Sequence, residues 1–294
     1  MVKETGYSGM RYRFSLFDIL VYGGMAVSLV VCIVPFLYMF ALSFSDAREI
    51  LNNNVGLLPR GFNTAAYDRI FHYPNFFMAY RNTFFYTTFG TFIALSLTIL
   101  FGYPLSKTFL RGRGFFLKLV IFSMFFSGGL IPTFLVIVNL RIYMTPLAIL
   151  LPFAITPFNL IILISFLKGI PSDIEEAAII DGLGYYGILL RIVLPLSTAA
   201  LATIGLYYAV FFWNDWFNAL IYLRSNQYPV MLFLRNIVNG TMMVGEGAGS
   251  AEGNSLGIAI KAAVIMVSTL PIIILYPLLQ RFFIAGLTVG GVKG

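Results

Sequence analysis

The chain has 294 residues, 59% of them hydrophobic and 11% charged, with a formal net charge of +7. Soluble domains carry about 25% charged residues, so this composition excludes a soluble globule and directs the surplus apolar surface to lipid. The single cysteine, Cys32, excludes an intramolecular disulfide, and no dense basic stretch interleaved with aromatics supports nucleic-acid binding.

A helix that crosses about 30 Å of hydrocarbon needs roughly 20 apolar residues. Segments 18–44, 80–106, 115–140, 146–167, 196–223 and 256–280 meet that requirement. The expected fold is therefore all-α and transmembrane, with six spans in one integral membrane domain over 1–294. Within it, 18–79 forms the first span and an external loop, 80–281 a five-span core, and 282–294 a tail. The first segment is too long for the apolar region of a signal peptide and lacks a clear cleavage site. Its cysteine, Cys32, reads as a small apolar residue.

Orientation follows from two basic clusters. Lys3, Arg11 and Arg13 precede the first span, and Lys107, Arg111, Arg113 and Lys118 fill the short connection after the second. Such clusters mark the cytoplasmic side. Both termini and the loop 168–195 then face the cytoplasm, while 45–79 and 224–255 face outward. In the first outer stretch His72 is the chain's one histidine, too few for a protein metal site. Within the spans, Pro35, Pro132, Pro152, Pro157, Pro271 and Pro277 are candidate kinks, although membrane helices also tolerate proline.

The fourth-to-fifth loop carries the most local information. Pro171 ends the preceding span. Ser172 followed by Glu175 has the spacing of a capping box. Asp173, Glu175 and Glu176 fall in a first turn, where the helix dipole favours negative charge. Ala177 and Ala178 favour helix and leave room for a partner. Gly182 can end the helix in a left-handed conformation, a second short helix follows, and Pro195 turns the chain back toward the membrane. An interfacial helix on lipid is the competing explanation, but anionic headgroups would repel Asp173, Glu175, Glu176 and Asp181. A capped, acidic, small-surfaced helix suits docking of a basic partner through charge-assisted bonds.

Farther along, Asp215 lies toward the outer end of the fifth span among Trp213, Asn214, Trp216 and Asn218. An ionisable residue at membrane depth is a functional candidate. Carboxylate, amide and indole groups together suit a sugar path, and a tryptophan belt at the interface is the bland reading. Arg81, Arg141 and Arg224 could serve an acidic oligosaccharide or snorkel as interface anchors. The glycine-rich tail fails as a phosphate loop, since Val292 follows Gly291 where lysine is required.

In the loop, Glu176-Ala177-Ala178, Gly182, Ile192 and Leu194-Pro195 keep the spacing of the EAA loop, and the chain here resembles the permeases of binding-protein-dependent ABC importers. Leu58-Pro59-Arg60-Gly61-Phe62-Asn63 resembles their first external loop in sugar importers, Trp213 to Leu220 their fifth-span motif, and Gly286 to Gly294 the ending of the MalG-like carbohydrate type. The LplC/YtcP-like subgroup, with alginate-importer permeases as neighbours, is the nearest pattern. The resemblance implies a six-span MetI-like fold with a cytoplasmic coupling helix. It implies an inner-membrane transport subunit that is not itself an enzyme and holds no cofactor. ATP and magnesium would belong to two partner ATPase subunits, and a second permease and an extracytoplasmic solute-binding protein complete the complex. Docking residues on this basis are Glu175, Glu176, Ala177, Ala178, Asp181, Gly182, Ile192, Leu194 and Pro195, with Glu176 toward a basic group of the ATPase. Two other function classes stay open: an ion-coupled secondary transporter using Asp215, and an importer permease for amino acids or peptides.

Overall fold

The computed structural model of the chain describes residues 16–239 and 251–290, and every described element is helical. Lys3, Arg11, Arg13, the stretch 240–250 and the last residues of the tail, Gly291 to Gly294, lie outside the described residues. In chain order the helices are α1 (Leu16–Ser43), α2 (Ala47–Leu51), α3 (Ala65–Phe71), α4 (Phe76–Ser106), α5 (Arg113–Phe125), α6 (Leu130–Asn139), α7 (Leu147–Leu150) and α8 (Pro157–Leu167). They continue as α9 (Ser172–Ile180), α10 (Tyr185–Ile188), α11 (Leu194–Leu196), α12 (Thr198–Asn214), α13 (Phe217–Tyr222), α14 (Val230–Val238) and α15 (Ala251–Gly290).

Among the described residues, three stretches are long and apolar enough to cross a bilayer alone: α1, α4 and Ser255–Leu275 within α15. Three more are bent pairs, α5 with α6 at 118°, α8 with α9 at 73°, and Tyr185–Leu196 with α12 at 83°. With each pair taken as one span the total is six.

Several expected spans are interrupted. Segment 115–140 breaks after Phe125, and the cause is Gly128-Gly129 rather than Pro132. Gly129 has φ +86°, a conformation that glycine adopts without a Cβ penalty, while Pro132 lies inside α6. Segment 146–167 is split between α7 and α8. Pro152 follows α7, and Pro157 opens α8, where its missing N–H would have been unpaired in any case. Segment 196–223 is interrupted at Asp215-Trp216. Pro35, Pro271 and Pro277 all lie inside uninterrupted helices. The helix expected over 256–280 is longer at both ends.

The chain divides into two units, Met1–Tyr67 with Glu246–Met266, and Asp68–Gly245 with Val267–Gly294. In the first, the stretch after α1 is folded tightly. Asn63 N–H donates to Phe44 O at 2.9 Å, and Asp46 N–H donates to Arg60 O at 3.0 Å. Ser45 Oγ donates to Ala41 O at 2.6 Å and accepts from Arg60 N–H at 3.0 Å. Phe44 stacks on Phe62 and on Tyr67, with centroids 5.5 and 4.6 Å away. Gly61 makes the turn, with φ +61°, and a Cβ there would stand 2.9 Å from the Cβ of Asp46. The Leu58–Asn63 motif is thus a compact turn that seals the end of α1.

The second unit is organised on α4, which packs most extensively against α12 and α8. Its buried residues include Gly90, Ala94, Thr98 and Gly102. Small residues at four-residue spacing let helix backbones approach closely in lipid, where van der Waals packing replaces the hydrophobic drive. A Cβ at Gly90 would meet the ring of Phe212 on α12 at 2.7 Å, and one at Gly102 would meet Leu163 on α8 at 3.0 Å. Where the three helices converge, the Tyr208 hydroxyl accepts from Thr156 N–H at 3.0 Å and shares a 2.8 Å hydrogen bond with Thr98. Tyr208 and Thr98 are both buried, so their hydroxyls satisfy each other away from water.

Candidate functional site

The 169–195 loop is ordered throughout. α9 begins after Pro171, but the expected capping box does not form. Ser172 is already within the helix, and its hydroxyl donates to Asp173 Oδ1 at 3.3 Å. Glu175 turns away from the helix start and pairs with Lys107, the residue that caps the C-terminus of α4. A backbone cap would be charge-assisted from the carboxylate alone, whereas the ammonium of Lys107 brings the opposite full charge, and the Glu175 side chain takes that partner. The Tyr103 hydroxyl donates to Glu175 Oε2 at 3.4 Å, and Lys107 Nζ lies 4.7 Å from the Tyr103 ring centre. Nearby, Arg113 Nε donates to Leu105 O at 2.9 Å and satisfies another carbonyl at the end of α4.

The other end of α9 follows the expectation for Gly182. Gly182 has φ +85°. Its N–H donates to Ile179 O at 3.0 Å, and Leu183 N–H donates to Ala178 O at 3.0 Å. These are the two bonds of a Schellman motif. The following turn α10 leads into a π-helical turn at Leu189–Val193. Pro195, just beyond, has no N–H to offer Arg191 O, and the ladder slips by one residue. Ser197 N–H then bridges Val193 O at 2.9 Å and Leu194 O at 3.1 Å, where the chain turns by 83° into α12.

This order sorts the predicted docking residues by side. Glu176, Ala177, Asp181, Gly182 and Pro195 are exposed. Ile180, at 86% exposure, and Tyr186, at 78%, extend the same surface. Glu175 keeps only 13% side-chain exposure, and Ala178 is buried at 4%. Ala178 belongs to the core cluster that includes Tyr103, Leu167, Ile188 and Val193, and Ile192 and Leu194 pack against that cluster half-buried. Glu175, Ala178, Ile192 and Leu194 therefore hold the loop in place, and the exposed set presents it.

At the predicted substrate path the structure removes two residues from display. Asp215 is buried, ends α12 and accepts from Asn218 N–H at 3.1 Å and Asn218 Nδ2 at 3.0 Å. Its carboxylate accepts from the first turn of α13 and so caps the restart of the helix. Trp213 is also buried and donates to Ser268 O at 3.1 Å. Asn214 is exposed and bonds its own helix at Val210 O, 2.9 Å away. Trp216 is half-buried beneath the Arg235 guanidinium, 3.9 Å from its ring centre. Arg81, Arg141 and Arg224 are exposed. His72 pairs with Asp68 at 3.2 Å along one exposed helix edge.

Two features escaped sequence reasoning. The first is the Lys107–Glu175 pair, whose members lie far apart in the chain. The second is a cleft of about 210 Å³ beside the N-terminal end of α4, lined by Tyr73, Met78, Asn82, Asn226, Tyr228 and Phe233 among others. Asn82 Nδ2 donates to Asn226 O at 3.1 Å and Tyr228 O at 3.3 Å, and Val230 N–H donates to Thr83 Oγ1 at 2.8 Å.

Residues 98–288 match the family described as binding-protein-dependent transport system inner membrane component. The chain is 41% identical over 285 residues to Protein LplC of Bacillus subtilis (strain 168), covering 96% of this chain and 95% of the relative. It is also 41% identical to the polygalacturonan/rhamnogalacturonan transport system permease protein YtcP of the same organism, covering 95% of this chain and 99% of that one. A chain in the crystal structure of a bacterial ABC transporter involved in the import of the acidic polysaccharide alginate superimposes with a TM-score of 0.86. That chain is 33% identical, with 92% of this chain and 99% of that one covered.

Proposed function

The chain belongs to the binding-protein-dependent transport system inner membrane components, and on that premise we propose that it is the permease subunit of an ATP-driven oligosaccharide importer, coupled through its 169–195 loop to a separate ATPase. It is a multi-pass inner-membrane protein and a transport subunit, with both termini and the loop on the cytoplasmic side. ATP and magnesium are bound by two partner ATPase subunits. A second related permease completes the membrane path, and an extracytoplasmic solute-binding protein delivers the sugar. The polysaccharides in the names of YtcP and of the alginate importer support the oligosaccharide class.

One observation carries the docking assignment. α9 presents Glu176, Ala177, Ile180 and Asp181 outward while both of its ends are locked from within, by Glu175 on Lys107 and by the Gly182 turn. A rigid helix with an exposed acid among small residues can enter a cleft and transmit its movement. Closure of the ATPase pair would displace the loop and, through it, the spans.

Charge-assisted hydrogen bonds contribute about 1.5–3 kcal/mol, and each 1.4 kcal/mol is tenfold in affinity. Glu176→Gln should weaken ATPase association by about ten- to a hundredfold, and Glu176→Lys should abolish copurification while the chain stays inserted. If Glu176→Lys retained its ATPase in full and transported normally, the assignment would be wrong.

A further inference from the structure

The Lys107–Glu175 pair joins two helix ends at a favourable place for both charges. Lys107 stands at the C-terminus of α4 and Glu175 in the first turn of α9, so the cation meets a negative dipole end and the anion a positive one. The side chains keep 17% and 13% exposure, and a pair this shielded is screened less than a surface pair. Little else anchors the N-terminal half of α9, whose one buried residue is Ala178. Phe109, in the loop after α4, also meets Tyr185 at 5.8 Å.

α4 then runs the length of the second unit. Its 31 residues span about 46 Å at 1.5 Å per residue. At the far end Asn82, Thr83 and Tyr86 hold the backbone of 226–230 through four hydrogen bonds, the Tyr86 hydroxyl donating to Gln227 O at 2.9 Å. Between the ends, Gly90, Ala94, Thr98 and Gly102 are buried in close helix packing. A displacement of α9 therefore has a stiff path to the segment that lines the cleft at Met78.

We propose that Lys107, Glu175 and Tyr103 form an intramolecular strut that carries movement of the docking helix into α4, with Lys107 and Glu175 acting as positioning residues for coupling rather than as contacts to the ATPase. The proposal rests on the docking assignment above and reallocates Glu175 within it.

The test uses the whole importer, purified with its partner permease and ATPase subunits. A reporter, Met78→Cys, is placed in a Cys32→Ser background, and its labelling rate by a maleimide is compared with and without magnesium–ATP plus vanadate. In the complex with native Lys107 and Glu175, nucleotide trapping changes the labelling rate. In Glu175→Gln and in Lys107→Met the ATPase copurifies in full and still hydrolyses ATP, but the nucleotide-dependent change is lost. The exchanged pair, Lys107→Glu with Glu175→Lys, restores it. Tyr103→Phe, which removes only the hydroxyl bond, reduces the change without abolishing it, and it serves as the readout if a charge variant fails to accumulate.

A full labelling response in Glu175→Gln overturns the strut. So does loss of the ATPase from that variant with no rescue by the exchanged pair, which would return Glu175 to the docking surface. Failure of the docking assignment looks different: Glu176→Lys would keep its ATPase, whatever the labelling of the Glu175 variants.

Discussion

Gly90→Ala tests the packing on which the second unit is built. The added Cβ would stand 2.7 Å from Cδ2 and Cε2 of Phe212 and 2.8 Å from Cγ. Carbon–carbon contacts are comfortable from about 3.5 Å, so the ring must retreat by roughly 0.8 Å. Phe212 is only 2% exposed, and the clash involves one whole edge of the ring rather than a flexible tip. Overpacking of this kind costs about 1–3 kcal/mol. The measurement is thermal unfolding of the purified chain in detergent, where Gly90→Ala should lower the midpoint by several degrees. Phe212→Ala alone should cost about 3–5 kcal/mol by leaving a cavity. The double variant should cost less than the sum, because the new methyl occupies part of that cavity, with a coupling of about 0.5–3 kcal/mol. An unchanged midpoint for Gly90→Ala, or strict additivity in the cycle, would refute the close approach of α4 and α12.

Tyr208→Phe should destabilise by about 0.5–1.5 kcal/mol in a detergent-unfolding titration, because the bonds of its hydroxyl to Thr98 and to Thr156 N–H are lost. Asp215→Ala should cost about 0.5–2 kcal/mol through loss of a helix cap, while Asp215→Asn, whose amide oxygen can still accept from Asn218 N–H, should keep both stability and transport. Loss of transport at unchanged stability in Asp215→Asn would restore that residue to the sugar path. Near α2, bonds from Arg48 N–H and the Asn63 amide hold the Asp46 carboxyl below its ordinary value. A lowered folded pKa adds stability that is complete above the unfolded value of about 3.9 and fades as pH falls through the folded one. The thermal-midpoint gap between the parent and Asp46→Ala should stay constant from neutral pH to about pH 5 and shrink below about pH 4.

The membrane class, the six apolar segments and the turn at Gly182 were legible in the residues alone, and each for a near-neighbour reason. Apolar length is set by what a bilayer requires, and a left-handed C-terminus asks only for a residue without Cβ. Pro195 acts in the same way, since its missing N–H disturbs the turn just before it. The break after Phe125 was equally local, but its signal was Gly128-Gly129, and attention to Pro132 obscured it.

Tertiary structure decided what local patterns left open. Glu175 had a partner on offer three residues back, at Ser172, and another across the fold at Lys107. The ion pair prevailed because α4 ends beside the start of α9, a meeting no run of neighbouring residues encodes. Asp215 was legible as an unusual buried acid, but its task depended on where the fifth segment broke and on Asn218 coming within reach. The sequence alone determined that this chain crosses a membrane and carries a loop with the spacing of the EAA loop. Only the assembled helices determined which side of that loop is free and which is anchored, because burial is a property of neighbours brought together by the fold.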